Sequence, residues 1–383
     1  LSIMGIFITA YNTICNLGYG MEEIYQNACR GDISKFTQTS DIIKNTKIRI
    51  GKVSHTLPEI TKPDYNTRCN RLVLACFELM KKDFAGLISR YGKDNIAIVC
   101  ATTNTGVEEF EKSQNPKHFE IGNPSEFAKD YLGLNNFATT VSTACSSGIK
   151  AFSIANQILN SNIAEATIVI GVDSIAKLPL FGFHSLEILS PNPTNPFSKN
   201  RSGINIGEGA AVFILEKEKT RNSIEICSIG ETTDVYHATC PDPKAKEVIN
   251  AINQALTKAQ ISPQDIDYIN LHGTGTISNE IMEANAIYSI FKDQTLCSST
   301  KPLTGHCLGA ASSIETALCC KLIKTKNPII YPHIYDGNYD KTLPKIKLVD
   351  KNYNAEKISH CLCTAFGFGG TNAVIILGEP KNE

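Results

Sequence analysis

Short apolar runs rich in β-branched residues alternate along this chain with longer segments whose apolar residues recur every three or four positions. Residues 3–8, 96–101, 138–143, 166–172, 210–216, 267–271, 359–364 and 373–377 predict strands. Between them, residues 68–91, 147–160, 244–259, 280–291 and 310–324 have helical spacing. Strand and helix in alternation predict an α/β fold. The first fifteen residues are largely apolar, but Gly5, Thr9, Tyr11 and Asn12 interrupt them and no basic stretch precedes them, so a buried first strand fits better than a secretory signal. No run approaches the roughly eighteen consecutive apolar residues of a membrane span, and no membrane insertion is expected.

The pattern also repeats. Gly-Glu-Gly-Ala-Ala-Val-Phe-Ile-Leu from Gly207 is echoed by Gly-Gly-Thr-Asn-Ala-Val-Ile-Ile-Leu from Gly369, an offset of 162. Ser142 and Thr143, followed by a loop, Gly148 and a small-residue helix, recur as Ser299 and Thr300, a longer loop, Gly309 and Ala310. The strand ending at Cys100, with Glu108 and Glu111 beyond it, parallels the strand ending at His272, with Glu280 and Glu283. Three matches in one order predict two similar halves, residues 1–223 and 224–383, meeting near Arg221 to Ser228. If the halves pack about a pseudo-twofold axis, equivalent loops converge and bring Cys145, His272 and His306 together.

Composition narrows the function. With 37 Lys and Arg against 38 Asp and Glu in 383 residues, the chain lacks the basic excess of a nucleic-acid binder. Its 14 cysteines are scattered, and Cys319 and Cys320 are adjacent. A chain of this size needs no disulfide staples, so the cysteines read as reduced thiols in a cytosolic compartment. Most of them are expected to be packing residues.

Cys145 is the exception. It lies in Val-Ser-Thr-Ala-Cys-Ser-Ser-Gly at 141–148, between a predicted strand and a helix opening with small residues. The positive end of that helix and nearby backbone N–H groups are expected to favour its thiolate, so it reads as a nucleophile. His272 follows an apolar strand and opens His-Gly-Thr-Gly-Thr, whose glycines allow backbone to approach a ligand. His306 again precedes a small-residue helix, where a neutral imidazole would donate a hydrogen bond to a developing oxyanion. Other chemistries fit poorly. Cys361 and Cys363 are spaced Cys-x-Cys, no Cys-x-x-Cys or His-Glu-x-x-His occurs, and Gly203, Gly207 and Gly209 precede a strand rather than a helix. No phosphate loop and no Gly-x-Ser-x-Gly elbow is present.

These motifs, with Lys-x-x-x-x-His from Lys301 to His306, Gly309-Ala310-Ala311, and Phe-Gly-Phe-Gly-Gly-Thr-Asn from Phe366, resemble the elongating β-ketoacyl-acyl-carrier-protein synthases in order over nearly the whole chain. The resemblance implies a thiolase-like fold of five αβαβα layers, working as a dimer. It implies that Cys145 accepts an acyl group from a carrier-protein thioester. His272 and His306 would then hold a malonyl thioester while carbon dioxide leaves, and the resulting carbanion would attack the acyl-cysteine. No cofactor is implied, since the phosphopantetheine arm arrives on the acyl carrier protein. Phe368 matches the family's gating residue, and the N–H groups of Cys145 and Phe368 its oxyanion hole. Lys301 and Glu283 match a buried ion pair. Arg68, Arg71, Lys199 and Arg201 are the candidate basic contacts for an acidic carrier protein.

The chain departs from the family at Glu280 and Ser202, where Asp is usual. Its shorter stretch between Thr105 and Asn136, and Glu108 and Glu109 beside the implied acyl pocket, are similar to ketosynthases of bacterial aryl-polyene and related specialised pathways. Those commonly pair with a catalytically silent chain-length partner, so a homodimer and a heterodimer are both implied. A thiolase would carry a second cysteine in the final glycine-rich loop, and a chain-initiating synthase Asn in place of His306. The alternative of another class is a non-enzymatic chain-length subunit, which usually lacks the nucleophile.

Overall fold

The computed structural model of the chain describes residues 5–351 and 353–380. Ten strands carry the architecture. The first half contributes β1 (Phe7–Cys15), β2 (Ile96–Ala101), β3 (Ala138–Val141), β4 (Ala166–Asp173) and β5 (Gly209–Glu216). The second contributes β6 (Ile224–Thr233), β7 (Tyr268–Asn270), β8 (Leu296–Ser298), β9 (His360–Gly367) and β10 (Thr371–Gly378). Their spatial order, β3-β2-β4-β5-β1-β6-β10-β9-β7-β8, is a palindrome in which each strand of one half has its counterpart in the other. In each half two neighbour pairings are parallel and two antiparallel, so that one strand, β5 or β10, runs against the other four. The halves join where β1 and β6 pair antiparallel through Phe7 with Glu225 and Ile8 with Ile224. The three internal sequence matches fall on β5 with β10, the loops after β3 and β8, and β2 with β7.

Strand alternation builds the layers. Ile96, Ile98 and Cys100 of β2 face an outer core with α1 (Arg68–Leu79) and α2 (Asn123–Leu132). Ala97, Val99 and Ala101 face inward, onto α3 (Ser147–Asn160). After the short α4 (Lys177–Ser185), the second half repeats the scheme. Leu362, Val374 and Ile376 face α5 (Lys246–Ala259) and α6 (Ile277–Phe291), while Cys361, Cys363 and Ile375 join α7 (Ala311–Lys324) in the central layer. The result is the five-layered αβαβα thiolase-like fold. The two central helices are covered by sheet on both sides, which is why α7 buries nearly every residue. They cross closely, because a Cβ on Gly148 would lie 2.5 Å from Ser312 Oγ. Cys145 sits at that crossing.

Several expectations shift. The strand placed at 3–8 begins at Phe7, and Ile3 and Met4 lie outside the described residues. The long helix at 68–91 is two helices, broken at Met80. β6 escaped the pattern because its register slips between Ile226 and Ser228, which interrupts the alternation. Among the described residues no disulfide joins any of the fourteen cysteines. Among the described residues no helix is long and apolar enough to cross a membrane.

Candidate active site

Cys145 leaves the turn after β3 by way of Ala144, whose φ of +53° is unusual for a residue with a Cβ. Hydroxyls hold this turn. Thr143 N donates to Ser147 Oγ at 2.8 Å, and Ser147 Oγ donates to Ala144 O at 2.6 Å. Ser146 Oγ bonds Thr371 Oγ1, tying the turn to the glycine-rich loop between β9 and β10. There, a Cβ on Gly367 would sit 3.3 Å from Cys145 N, so the loop bearing Phe368 lies against the Cys145 backbone.

His272 is placed by a carboxylate acting on its main chain. Its N–H donates to Glu283 Oε1 at 2.7 Å, and Gly273 N donates to Glu283 Oε2 at 2.7 Å. His306 follows Gly305, whose φ is +73°, and its N–H donates to Asn205 O at 2.7 Å. The sulfur of Cys145 and a ring nitrogen of each of His272 and His306 lie within 4.8 Å of one another, and all three residues are buried. The imidazoles meet edge to face, with centroids 5.5 Å apart and planes at 89°.

Neighbours fix which nitrogen of each ring carries hydrogen. Leu308 N donates to His306 Nδ1 at 3.0 Å, and the Lys301 ammonium lies 3.3 Å from His272 Nδ1. Both Nδ1 atoms therefore accept, which leaves Nε2–H as the free donor on each neutral ring. Burial, followed by the positive charge of Lys301, holds both histidines well below their usual pKa. Three buried ligand atoms at this spacing suit a soft divalent ion, but the ammonium beside His272 opposes a second cation.

Two expectations are corrected. The Cys145 thiolate is not favoured at rest: burial pushes the thiol up to about 12, outweighing the opposing pull of Lys301. The carboxylate paired with Lys301 is Glu315, at 2.6 Å, not Glu283. Both members of that pair are almost fully enclosed, where losing one partner typically costs about 3–5 kcal/mol. Glu315 left one trace in the sequence, as the only acid in a helix otherwise small and apolar for its first ten residues.

The basic candidates do not form one free patch. The Arg201 side chain is 5% exposed, bonded to Asp340 Oδ2 at 2.6 Å and facing Glu280 Oε2 at 3.6 Å. Arg68 grips the buried Glu208, Nε donating to Oε2 at 2.8 Å. Arg71 is half-buried and donates to Asn66 Oδ1, while Lys199 is exposed. Glu280, pushed up to about 8 by burial, accepts from Gly275 N, and Ser202 bonds Ser190.

Cys145 opens onto two cavities. One, of about 910 Å³, holds His272, His306, Thr274, Thr276 and Asn279. The other, of about 1400 Å³, is walled by Val107, Phe119, Ile121, Leu178 and Leu308. Phe368 borders both, its ring 6.0 Å from that of Phe183. Sequence reasoning missed Phe183, since an aromatic in a weakly patterned helix carries no signal of its own.

Fold and trio together define a thiolase-fold protein with a cysteine and two neutral histidines at the seam of its halves. The chain belongs to the β-ketoacyl synthase family: residues 125–221 match "Beta-ketoacyl synthase, N-terminal domain" and residues 224–333 "Beta-ketoacyl synthase, C-terminal domain". It is similar to "Nodulation protein E" of Rhizobium leguminosarum bv. trifolii, 34% identical over 258 residues, 64% of this chain and 62% of that protein. It is also similar to "3-oxoacyl-[acyl-carrier-protein] synthase 2" of Coxiella burnetii (strain RSA 493 / Nine Mile phase I), 35% identical over 259 residues, 63% of this chain and 61% of that one. The matched region thus spans about three fifths of these curated relatives. Among solved structures, a ketosynthase (ApeO) in complex with its chain length factor (ApeC) from Xenorhabdus doucetiae is 34% identical, with a TM-score of 0.93 and 98% of both chains covered.

Proposed function

We propose that this chain catalyses decarboxylative Claisen condensation on carrier-protein thioesters. In the first step the Cys145 sulfur attacks an acyl thioester; its proton passes to the departing phosphopantetheine thiolate, so the exchange is balanced. Transfer of that proton during attack suits a thiol that burial keeps protonated at rest. In the second step malonyl thioester binds beside the trio and loses carbon dioxide. The two Nε2–H donors stabilise the enolate oxygen that forms. The enolate carbon then attacks the acyl thioester on Cys145, releasing a β-ketoacyl thioester and a cysteine thiolate that takes up one proton. The N–H groups of Cys145 and Phe368 stabilise the oxyanion in both acyl-transfer steps. No resident cofactor takes part.

The observation that carries this reading is the convergence of one sulfur and a ring nitrogen of each of two neutral histidines within 4.8 Å at the junction of two cavities. The apolar cavity suits the growing chain and the other the malonyl arm. A non-catalytic chain-length subunit would not need a nucleophile so disposed, and residues 367–370 offer no second cysteine for thiolase chemistry. The ketosynthase from Xenorhabdus was solved with a chain length factor, and a similar silent partner, in an aryl-polyene-like pathway, is the assembly proposed here. Phe119, Ile121, Leu178 and Leu186 support it, as they leave the acyl cavity rimmed by exposed apolar surface. For carrier docking, Lys199 and Arg71 remain the basic candidates; Arg201 is engaged inside the fold.

The test is intact-mass measurement after incubation with acyl carrier proteins bearing different chains. One acyl group is expected, on the peptide containing Cys145; acylation elsewhere, or none with any chain, would refute the proposal. The histidines add a pH prediction. With folded pKa values lowered, both rings stay neutral as pH falls through their ordinary value of about 6.5. Malonyl decarboxylation is therefore expected to be flat from about pH 8 to pH 6. A titration centred near that ordinary value, followed as carbon dioxide release, would contradict it.

A further inference from the structure

Asp173 closes β4 and is fully buried, and every partner of its carboxylate is neutral. Oδ1 accepts from Thr102 Oγ1 at 2.8 Å, Thr103 N at 2.9 Å and Asn104 N at 3.0 Å. Oδ2 accepts from Thr103 Oγ1 at 2.7 Å and Gly309 N at 2.6 Å. Enclosing a carboxylate without a counter-ion is costly, and apolar groups of the same shape would serve stability as well. The donors explain its presence.

They come from two segments that border the reacting trio. Thr103 and Asn104 follow β2 and wall the acyl-side cavity. Gly309 lies three residues after His306. Between them Leu308, held at φ +53°, lines the same cavity and gives its N–H to His306 Nδ1. The fit is tight: a Cβ on Gly309 would lie 2.7 Å from Asp173 Oδ2 and 2.9 Å from Thr103 Cγ2. Were the Gly309 bond lost, the turn would relax, Leu308 N–H would leave Nδ1, and the ring would no longer be held with Nε2–H toward Cys145.

We infer that Asp173 is a positioning residue: by anchoring the turn at 306–309 to the wall at 102–104, it fixes the orientation and tautomer of His306 for the decarboxylation half-reaction. This rests on the condensation reading above. Sequence gave no hint of it, since one acid at the end of an apolar strand has no pattern.

The experiment is a double-variant cycle on malonyl-carrier decarboxylation: the unaltered enzyme, Asp173→Asn, His306→Ala and the two combined, each checked by thermal unfolding. Asparagine keeps the size but turns an amide N–H₂ toward groups that themselves donate. Asp173→Asn is expected to lower kcat on the order of 100-fold with KM little changed. The combined variant should be no slower than His306→Ala alone. If Asp173→Asn does not fold, Gly309→Ala strains the same bond from the other side and must give the same pattern. Losses that multiply, or an unchanged kcat, would overturn the inference while the condensation reading stands. Failure of the unaltered enzyme to consume malonyl carrier would overturn both.

Discussion

Cys145→Ala is expected to reduce condensation on the order of 10⁶-fold, the scale set by loss of a catalytic nucleophile, while malonyl decarboxylation survives. The separation follows from the geometry. The sulfur is the only atom of the trio able to hold the acyl group, so without it the enolate has no electrophile to attack. The two Nε2–H donors keep their orientation through Lys301 and Leu308, neither of which bonds the thiol. Mass spectrometry of the carrier should therefore find acetyl-carrier, the protonated enolate, and no β-ketoacyl product. Condensation persisting in this variant would remove Cys145 from the mechanism altogether.

His306→Ala should have the complementary effect. Removing one donor to a developing oxyanion typically costs about 10²–10³ in rate, so decarboxylation should fall by that amount while acyl loading of Cys145 continues. His306→Gln, which offers an amide N–H at similar reach, is expected to retain more activity than alanine. Measuring carbon dioxide release and Cys145 acylation on the same samples separates the two half-reactions. Equal loss of both would mean that His306 supports the nucleophile rather than the malonyl arm.

Much of this site was legible because its motifs sit where strands end. Cys145 and His272 follow strands, His306 follows a one-turn helix at Lys301–Thr304 and Gly305, and each stands beside glycine or other small residues; such punctuation survives in one dimension. The partner of Lys301 was not legible. Glu315 is the lone acid on its helix and Glu283 shares its own with Glu280, and only packing decides that one faces the ammonium while another receives the N–H groups of His272 and Gly273. The basic residues misled for a related reason. Arg68 and Arg201 read as surface charge, yet Glu208, Asp340 and Glu280 lie opposite them in space.

The sequence alone determined the α/β class, the internal duplication and which three side chains converge at the seam, because strand alternation, helical period and glycine-bearing turns are local properties. Tertiary structure alone decided the protonation state of Cys145, the tautomer of His272, and the hydrogen bonds that surround Asp173. Each depends on desolvation or on a donor far away in the chain: Cys145 lies at the crossing of α3 and α7, and the Gly309 N–H that Asp173 accepts comes from the other half of the molecule. Burial and hydrogen-bond direction exist only once the two halves have closed on each other.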